Sequence, residues 1–525
     1  MKMIKSLVLG SAAVLIAVGG AQAADLPVKA KAVEYVKVCS LYGAGFWYIP
    51  GTDTCIKLGG YLRADVVVNA NNDAGGNVNG AGGANNRFTN GFTWRARQDL
   101  SVDTRTATEY GVVRTFSEFT LSWTDDTYAG NPAAPGSTVY GPIGGGAVAG
   151  IAPLLGNVAP GSAPNNANAG AVAGGTLGVY YAYIQFAGFT IGKAISQFSA
   201  PWTNYPGNNF DGLVGGGGDV TGVNQFTYTA EFGQGISAAI SVQDPTQYYQ
   251  AGVNNLSAGG LFGASDYAGT IAPDIVGMVR VDQAWGLFQL SAAAHDNHAA
   301  YFGSTELTGH PDDKWGFAVQ AALQIKNIPT GPGDTINIQG VYTDGATRYN
   351  IQDLANQYSA ATIYGGSNMA GAYQSVGLGF APDTVFAAGT QQQLTQTYGM
   401  RGAFNHNWDP YWSSSLYGAW ASVQYNGTAK GLICNTPGLG FAAAVAAGTV
   451  TTCNPDYNIG QLGFITRWTP VKNLTFSGDV TWSHLDQKFA GTLSVPSAAV
   501  GKPAAVYQLK DQDTVTLLLR AQRNF

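Results

Sequence analysis

The side chains best suited to covalent chemistry or to binding a transition metal are the thiols of four cysteines and the imidazoles of five histidines. The cysteines form two pairs that are close in sequence, Cys39 with Cys55 and Cys434 with Cys453. Four cysteines allow three connectivities, and the local pairs are the natural choice if the chain enters an oxidising compartment. A zinc site would require closer spacing, such as C-x-x-C, which the sequence lacks. The cysteines therefore predict two local disulfides and no metal.

The histidines are scattered, and only two of them are close in sequence, at positions 295 and 298. The five are His295, His298, His310, His406 and His484. We interpret the close pair as loop residues. A hydrolase would require a histidine positioned beside a serine nucleophile, and all five lie in or beside predicted connections or at strand ends. The sequence therefore predicts neither an enzyme nor a cofactor.

Charged side chains make up only 11% of the 525 residues, and the formal net charge is −6. No basic cluster or positive balance points to nucleic acid. Against this background Arg63, Arg95 and Arg97 are notable, because they fall on the polar faces of alternating segments. Arg114 follows one segment later, and its alternation is ambiguous. These arginines are candidates for setting the charge of a confined aqueous space.

The first 23 residues have the features of an export signal. Lys2 and Lys5 precede an apolar run from Ser6 to Gly20, and Ala21-Gln22-Ala23 fits an A-x-A cleavage site. The alternative, a retained anchor helix, is disfavoured because the run is short for a membrane span. We therefore expect residues 1–23 to be a signal peptide and the cysteines to reach an oxidising compartment.

Beyond Ile56 the chain alternates polar and apolar residues with a period of two. In Lys314–Lys326, Trp315, Phe317 and Val319 alternate with small or polar residues. The 72 glycines and the abundant aromatic residues also disfavour a helical bundle. Sixteen strands are predicted, near residues 56–68, 88–104, 109–124, 176–186, 189–198, 225–232, 236–243, 274–282, 287–295, 314–326, 335–343, 394–408, 411–425, 459–469, 474–489 and 510–525.

The connections between these strands alternate strictly between short and long. The seven short ones are Arg105 to Thr108, Ala187-Gly188, Gly233 to Gly235, Gln283 to Gly286, Asn327 to Asp334, Asp409-Pro410 and Pro470 to Asn473. Short periplasmic turns and long external loops are typical of an all-β, transmembrane antiparallel barrel, whereas a soluble multi-domain β protein has no reason to alternate in this way. Closure pairs every backbone group, and sixteen strands leave a water-filled lumen.

Two sets of aromatic residues agree with a barrel in a membrane. Trp285, Trp408, Trp412 and Trp468 flank predicted short turns, where an interfacial girdle would lie. The last strand ends on Phe525 and resembles the signal that outer-membrane assembly machinery recognises. Leu518 interrupts the polar face of that strand, and Arg523 interrupts its apolar face.

The segment ADLPVKAKAVEYVKVCSLYGAGFWYIPGTDTCIKLGGYLR, from Ala24 to Arg63, resembles the N-terminal signature of alphaproteobacterial porins of the rhizobial and Brucella type. RFTNGFTWRARQDLSVDTRTATEYGVVR, from Arg87 to Arg114, resembles the second and third strands of that family. The resemblance implies a homotrimeric outer-membrane barrel that passes small hydrophilic solutes and ions passively. Two long segments rich in Gly, Ala and Pro, Thr127–Gly175 and Thr343–Gln393, depart from the family pattern. The resemblance therefore does not predict the structure of the external loops.

The predicted organisation is a signal peptide, a short periplasmic segment at 24–55 and a barrel at 56–525. In trimeric porins the third long connection narrows the barrel, which implies a constriction loop at about 199–224 with Asp211, and less surely Asp219, as its acid. Facing Arg63, Arg95, Arg97 and Arg114, that loop would create a transverse field across the pore. The alternative is that these are solvated lumen charges without a special role.

A substrate-selective sugar or anion channel of the same architecture is the alternative function. A sugar channel would use an aromatic slide, and Tyr61 with Tyr183 is too little to establish one. The expected partners are two further copies of the chain, membrane lipids with lipopolysaccharide, and the assembly machinery. Because Tyr180, Tyr181 and Tyr183 spread over both faces of their strand, we expect the trimer interface on that side.

Overall fold

The computed structural model describes residues 37–69, 92–124, 171–172, 175–218, 221–258, 262–352, 362–365, 375–436, 440–495 and 505–525. The predicted signal peptide, Arg87, Asp219 and most of the segment 127–175 lie outside these ranges. Among the helices that the structure describes, none is long and apolar enough to cross a membrane.

Sixteen strands form one antiparallel barrel, as the alternation predicts. They are β1 (Thr54–Val68), β2 (Phe92–Thr108), β3 (Gly111–Thr124), β4 (Gly175–Phe186), β5 (Phe189–Ala194), β6 (Val223–Gly233), β7 (Ile236–Gln243), β8 (Asp274–Gln283), β9 (Gly286–Asn297), β10 (Lys314–Lys326), β11 (Thr335–Asp344), β12 (Gln393–Asn407), β13 (Trp412–Tyr425), β14 (Tyr457–Val471), β15 (Leu474–Gln487) and β16 (Gln512–Asn524). Each strand pairs with the next. The last pairs with the first, with Asp65 opposite Arg520, so the ring is closed.

Two predicted strand ends differ from the observed ones by four residues each. β2 continues to Thr108, and the first turn is Glu109-Tyr110 rather than Arg105 to Thr108. There Thr108 pairs with Gly111 and its hydroxyl donates to the Gly111 carbonyl at 2.6 Å, which closes a tighter hairpin. β5 ends at Ala194 rather than near residue 198, because the chain leaves the sheet there and enters the barrel lumen.

The alternation of residue types corresponds to the two faces of the wall. In β10 the apolar Trp315, Phe317 and Val319 are exposed on the outside, whereas Ala318 and Gln320 are buried on the inside. Trp285, Trp408, Trp412 and Trp468 are all exposed beside short turns, as a girdle requires. The outer surface is therefore suited to lipid and the inner one to water and polar contacts.

The chain divides into two compact units, Met1–Ile56 and Lys57–Phe525. In the first unit, Trp47–Tyr48 pairs with Cys55 and Ile56, and a disulfide joins Cys39 to Cys55. The Lys37 ammonium lies 5.0 Å from the centre of the Tyr48 ring. The disulfide is the one expected from the spacing.

Parts of the long connections fold into structure of their own. A five-stranded sheet contains Thr362–Gly365, Ser375–Gly379, Ala505–Leu509, Ala490–Val495 and Val450–Thr452, in that spatial order. Two helices, α1 (Gly427–Asn435) and α2 (Gly440–Ala446), follow β13, and the second predicted disulfide joins Cys434 of α1 to Cys453. Shorter elements are strands Val253–Asn255, Ala264–Ser265 and Thr384–Phe386 and 3-10 turns Ser40–Tyr42 and Thr347–Tyr349. Strand Ala171–Val172 also pairs with β4.

An aromatic cluster stabilises this external layer. Phe262 stacks on Phe380 with ring centres 4.6 Å apart and on Phe441 at 5.1 Å, and Phe441 contacts Phe489 at 4.7 Å. These side chains are buried. The segment 343–393, which departs from the family pattern, contributes Phe380 and is therefore partly a packed structure.

His295 lies in β9 and not in a loop, which corrects the interpretation of the close histidine pair. Its Nδ1 lies 2.7 Å from Asp274 Oδ1, and its Nε2 lies 3.4 Å from Asp383 Oδ2. Asp383 also accepts from the backbone N–H groups of Ala251 and Thr347. This buried cluster ties three loop segments to the wall, whereas His298 is in a loop as expected.

Candidate functional site

The connection between β5 and β6, of which the structure describes residues 195–218 and 221–222, folds into the barrel. The inner faces of successive strands hold its backbone carbonyls: Gln320 of β10 donates to the Phe198 carbonyl at 2.8 Å, and Asn337 of β11 donates to the Pro206 carbonyl at 2.7 Å. Farther round, the Asn209 N–H donates to Asp479 of β15 at 2.6 Å. We call residues 195–222 the inner loop. It begins four residues earlier than the predicted range.

Four consecutive glycines, Gly215–Gly218, place the returning arm of the inner loop directly on the wall. Gly215 has φ +89°, and a Cβ atom there would lie 2.2 Å from the Met400 carbonyl oxygen. A Cβ atom on Gly216 would lie 1.8 Å from Gln339 Nε2. The contact with backbone at Gly215 leaves no room for a side chain, so glycine is required there, whereas a side chain at Gly216 would require Gln339 to move.

The tip of the inner loop reaches the seam where the barrel closes. Phe210 is fully buried and packs with Val67 of β1 and Leu518 of β16, which lie opposite each other in the sheet. Leu518 is the residue that interrupts the polar face of the last strand. The structure explains this interruption, because Leu518 faces the lumen and packs against the apolar side chain of Phe210 from the inner loop.

Asp211 follows Phe210 and accepts a hydrogen bond from the Tyr205 hydroxyl. Burial, and then the Asp211 carboxylate, raise the pKa of the Tyr205 hydroxyl well above its usual range, whereas Arg520 and Arg63 act in the opposite direction. The tip thus lies within electrostatic reach of arginines on the closing seam. Asp211 also interacts electrostatically with Tyr180 of β4.

Three predicted arginines lie on this part of the wall. Arg95 is 4% exposed, and its Nε donates to Asp65 at 2.9 Å. Asp65 accepts a second bond from Arg520 at 2.7 Å. Arg63 donates to Gln522 at 2.8 Å, and its guanidinium lies 4.4 Å from the centre of the Tyr61 ring. We call Arg63, Arg95, Arg97 and Arg520 the basic wall. Arg520 is the member that the sequence analysis missed.

Arg97 is half-buried and donates to the Ser122 hydroxyl and to the Tyr180 hydroxyl, both at 2.8 Å. Tyr180 is the extra residue of a β-bulge, since Glu118 pairs with Tyr181 and Phe119 pairs with Val179. The bulge changes the facing of β4 at this point. It accounts for the poor alternation of the three tyrosines, which therefore does not locate a subunit interface.

Arg114 lies apart from the basic wall. It pairs in register with Arg105, and both arginines donate to Asp103 at 3.0 Å. Since Arg97 and Arg105 are separated by eight residues on one strand, their backbone positions are about 27 Å apart along that strand. The structure thus brings Arg63, Arg95 and Arg97 together and places Arg114 in a separate ion-pair cluster.

A family model with the description "Porin subfamily" matches residues 25–518. The chain belongs to this porin subfamily. Porin Omp2b of Brucella suis is 35% identical over 287 residues, which is 54% of this chain and 63% of the Brucella protein. Porin Omp2b of Brucella melitensis matches with the same identity and coverage. The match thus spans less than two thirds of the length of these curated relatives.

Among solved structures, that of the outer membrane channel DcaP of Acinetobacter baumannii is 13% identical to the chain. The comparison covers 91% of this chain and 99% of DcaP, with a TM-score of 0.49. Membership of the porin subfamily and the closed sixteen-stranded wall make the protein a multi-pass β-barrel of the Gram-negative outer membrane.

Proposed function

We propose that the protein is a passive, water-filled channel for small hydrophilic solutes and ions, and that the inner loop forms its constriction. The observation that supports this most is the position of the loop tip, which Phe210 fixes between Val67 and Leu518. A channel narrowed by a folded-in loop requires no catalytic group. Its function lies in the size and charge of the opening.

The charges of the opening are Asp211 on the inner loop and the arginines on the basic wall. Arg63 and Arg97 are half-buried and hydrogen-bond mainly to neutral groups, so their charge acts on the lumen. The charge of Arg95 is opposed by Asp65. We propose a transverse field between Asp211 and Arg63 with Arg97, and a smaller contribution from Arg95.

The test is the reversal potential of single channels in planar bilayers across a KCl gradient. The double variant Arg63→Gln/Arg97→Gln should shift selectivity toward cations, because two positive charges leave a confined space. The shift should shrink at high salt, where the Debye length falls to about 3 Å at 1 M. The matched control is Arg105→Gln, which removes an arginine of β2 that is ion-paired with Asp103 in the separate cluster. An unchanged reversal potential in the double variant at low salt would disprove the proposed field.

A solute-selective channel is the second candidate, because the structure adds Tyr180 to the two aromatic residues that the sequence suggested. Arg63 stacks on Tyr61 at 4.4 Å, and Arg97 and Arg114 each lie 5.7 Å from a ring, Tyr180 and Tyr183 respectively. Such pairs suit sugars or organic anions. Concentration-dependent block of the KCl current by a sugar or an organic carboxylate would favour this candidate, and unhindered current would favour general diffusion.

We further propose that the protein assembles as a homotrimer in contact with lipids and lipopolysaccharide, and that its C-terminal strand guides insertion through Phe525. Membership of the porin subfamily supports this proposal. Native mass spectrometry in mild detergent should detect three chains. A protein found only as a monomer under these conditions would contradict the proposal.

A further inference from the structure

We infer that Arg401 is the positioning residue of the constriction: a buried guanidinium that fastens both arms of the inner loop to the wall and so sets the width of the pore. The inference rests on the proposed function of the inner loop. Arg401 lies on β12, on the inner face of the barrel, and is 2% exposed.

The hydrogen bonds of Arg401 all go to the inner loop. Nη1 donates to the Leu213 carbonyl at 3.0 Å and to Asn204 Oδ1 at 3.2 Å. Nη2 donates to the Thr203 carbonyl at 2.5 Å and to the Gly217 carbonyl at 3.4 Å. All four acceptors are neutral oxygens, so this buried cation is stabilised by loop dipoles and differs from Arg95, which faces a carboxylate.

The acceptors lie on both sides of the loop tip. Thr203 and Asn204 come directly before Tyr205, whereas Leu213 and Gly217 come after Asp211. A single guanidinium therefore clamps the outgoing and returning arms together at the base of the segment that carries Asp211. Planar geometry with separated N–H donors is required for this, and a lysine ammonium does not reproduce it.

Beyond the buried Leu213 and Val214, the returning arm continues as Gly215–Gly218 and has no side chains of its own. Gly215 and Gly216 rest against Met400 and Gln339. Because these glycines have no side chains, they contribute little packing area to hold this part of the arm on the wall. Without the guanidinium, the Thr203 and Leu213 carbonyls would be buried without their donor, which favours an arm that lifts away and exchanges these contacts for water. Pairing of β12 with β11 and β13 uses backbone groups and does not depend on this side chain.

The experiment compares Arg401→Met with the wild-type protein and with Arg105→Met, in full-length channels reconstituted in planar bilayers. Arg401→Met should raise single-channel conductance in 1 M KCl by about 1.5-fold or more, with added open-channel noise, because the arm no longer holds its position. Arg105→Met removes a lumen arginine that pairs with Asp103 in the separate ion-pair cluster, and its conductance should be close to that of the wild type.

A second readout separates positioning from general damage. In the wild-type background, Asp211→Asn should shift the reversal potential, because the loop holds this carboxylate at the narrowest point. In the Arg401→Met background the same change should have less than half of that effect, since coupled sites are not additive. Arg401→Lys keeps the positive charge but loses the planar arrangement of N–H donors, so it should behave like Arg401→Met. If Arg401→Met does not assemble, Arg401→Lys serves as the test.

The outcomes are distinguishable. A wild-type protein that conducts no ions would overturn the proposed function itself. If the wild type conducts and Asp211→Asn shifts its selectivity, then wild-type conductance in Arg401→Met or Arg401→Lys would overturn only the role of Arg401. Higher conductance in both variants, with a weakened effect of Asp211→Asn, would establish it.

Discussion

The inner surface of the barrel uses arginine in two ways. On the basic wall, Arg63 and Arg97 are half-buried and contact wall side chains such as Gln522, Ser122 and Tyr180. On β12 and β14, Arg401 and Arg467 instead donate to carbonyls of the inner loop, Arg467 to Gly207 at 2.6 Å. All four arginines occupy inward-facing strand positions. Residue type and strand face are therefore the same for all four arginines. An arginine that faces the lumen contributes its charge to the pore, whereas an arginine that faces the inner loop holds the loop.

The largest effect is expected from a side chain at the backbone contact of the inner loop. Gly215→Val should prevent the returning arm from seating, because its Cβ atom would collide with the Met400 carbonyl. We expect either failure to assemble or a large rise in conductance. The control is Gly389→Val, which has a similar φ of +78° but no atom within 4 Å of the added Cβ atom. Equal behaviour of the two variants would attribute the effect to backbone strain instead.

A smaller effect is expected at the apolar contact of the loop tip. Phe210→Ala removes a fully buried ring, which should weaken docking of the tip by about 3 kcal/mol and increase its mobility. Conductance should rise, and hydrogen exchange at residues 205–212 should become faster. Leu518→Thr should act in the same direction, whereas Leu519→Thr, on the exposed outer face of the same strand, should not. Identical exchange in all three variants would show that the tip is held without this contact.

Within the basic wall, Arg95→Gln and Arg97→Gln should differ. Arg97→Gln should produce the larger shift of reversal potential, because Asp65 opposes the charge of Arg95. Arg95→Gln should instead lower stability by about 1–3 kcal/mol, less than is usual for a broken buried pair, because Asp65 keeps Arg520. Reversal potentials and heat-unfolding midpoints measure the two effects. A larger selectivity shift from Arg95→Gln would mean that its charge acts on the lumen.

The smallest effect concerns Asp334, in the turn between β10 and β11 and outside the membrane-spanning strands. Burial raises its pKa, but hydrogen bonds from Thr330, the Asn407 N–H and His406 outweigh this and lower the pKa to about 2. An aspartate whose pKa is lower in the folded state stabilises the fold above its unfolded pKa, and that contribution is lost as the pH falls toward 2. Protection of the turn amides from hydrogen exchange, measured relative to the intrinsic rate at each pH, should decrease between about pH 4 and 2, and the Asp334→Asn variant should lack this pH dependence.

The barrel was predictable because each strand is amphipathic over its own length, and lipid and water impose opposite preferences on the two faces. Strand ends were less predictable, since Thr106 to Thr108 alternate no differently from the strand before them. The bulge at Tyr180 was visible as a loss of alternation, but a period cannot distinguish an inserted residue from a subunit interface.

The site was predictable only in part. Asp211 came from the position of the third long connection in a resembling family, and Arg63, Arg95 and Arg97 came from their strand faces. Leu518 was visible as an interruption without a cause, because its partner Phe210 is 308 positions away in the chain. Arg401 carried no signal at all, since an arginine on a polar strand face is the same letter whether water or a loop lies opposite.

The glycine run of the inner loop also affects how much of the barrel remains open. A returning arm without side chains occupies only the thickness of a backbone, about 5 Å, the spacing of neighbouring strands in a sheet. Bulkier residues would widen that arm and reduce the cross-sectional area of the water-filled lumen. The flux of solutes through the proposed channel depends on this area. Gly215–Gly218 therefore allow the protein to place a charged tip across its channel while giving up little of the area through which it conducts.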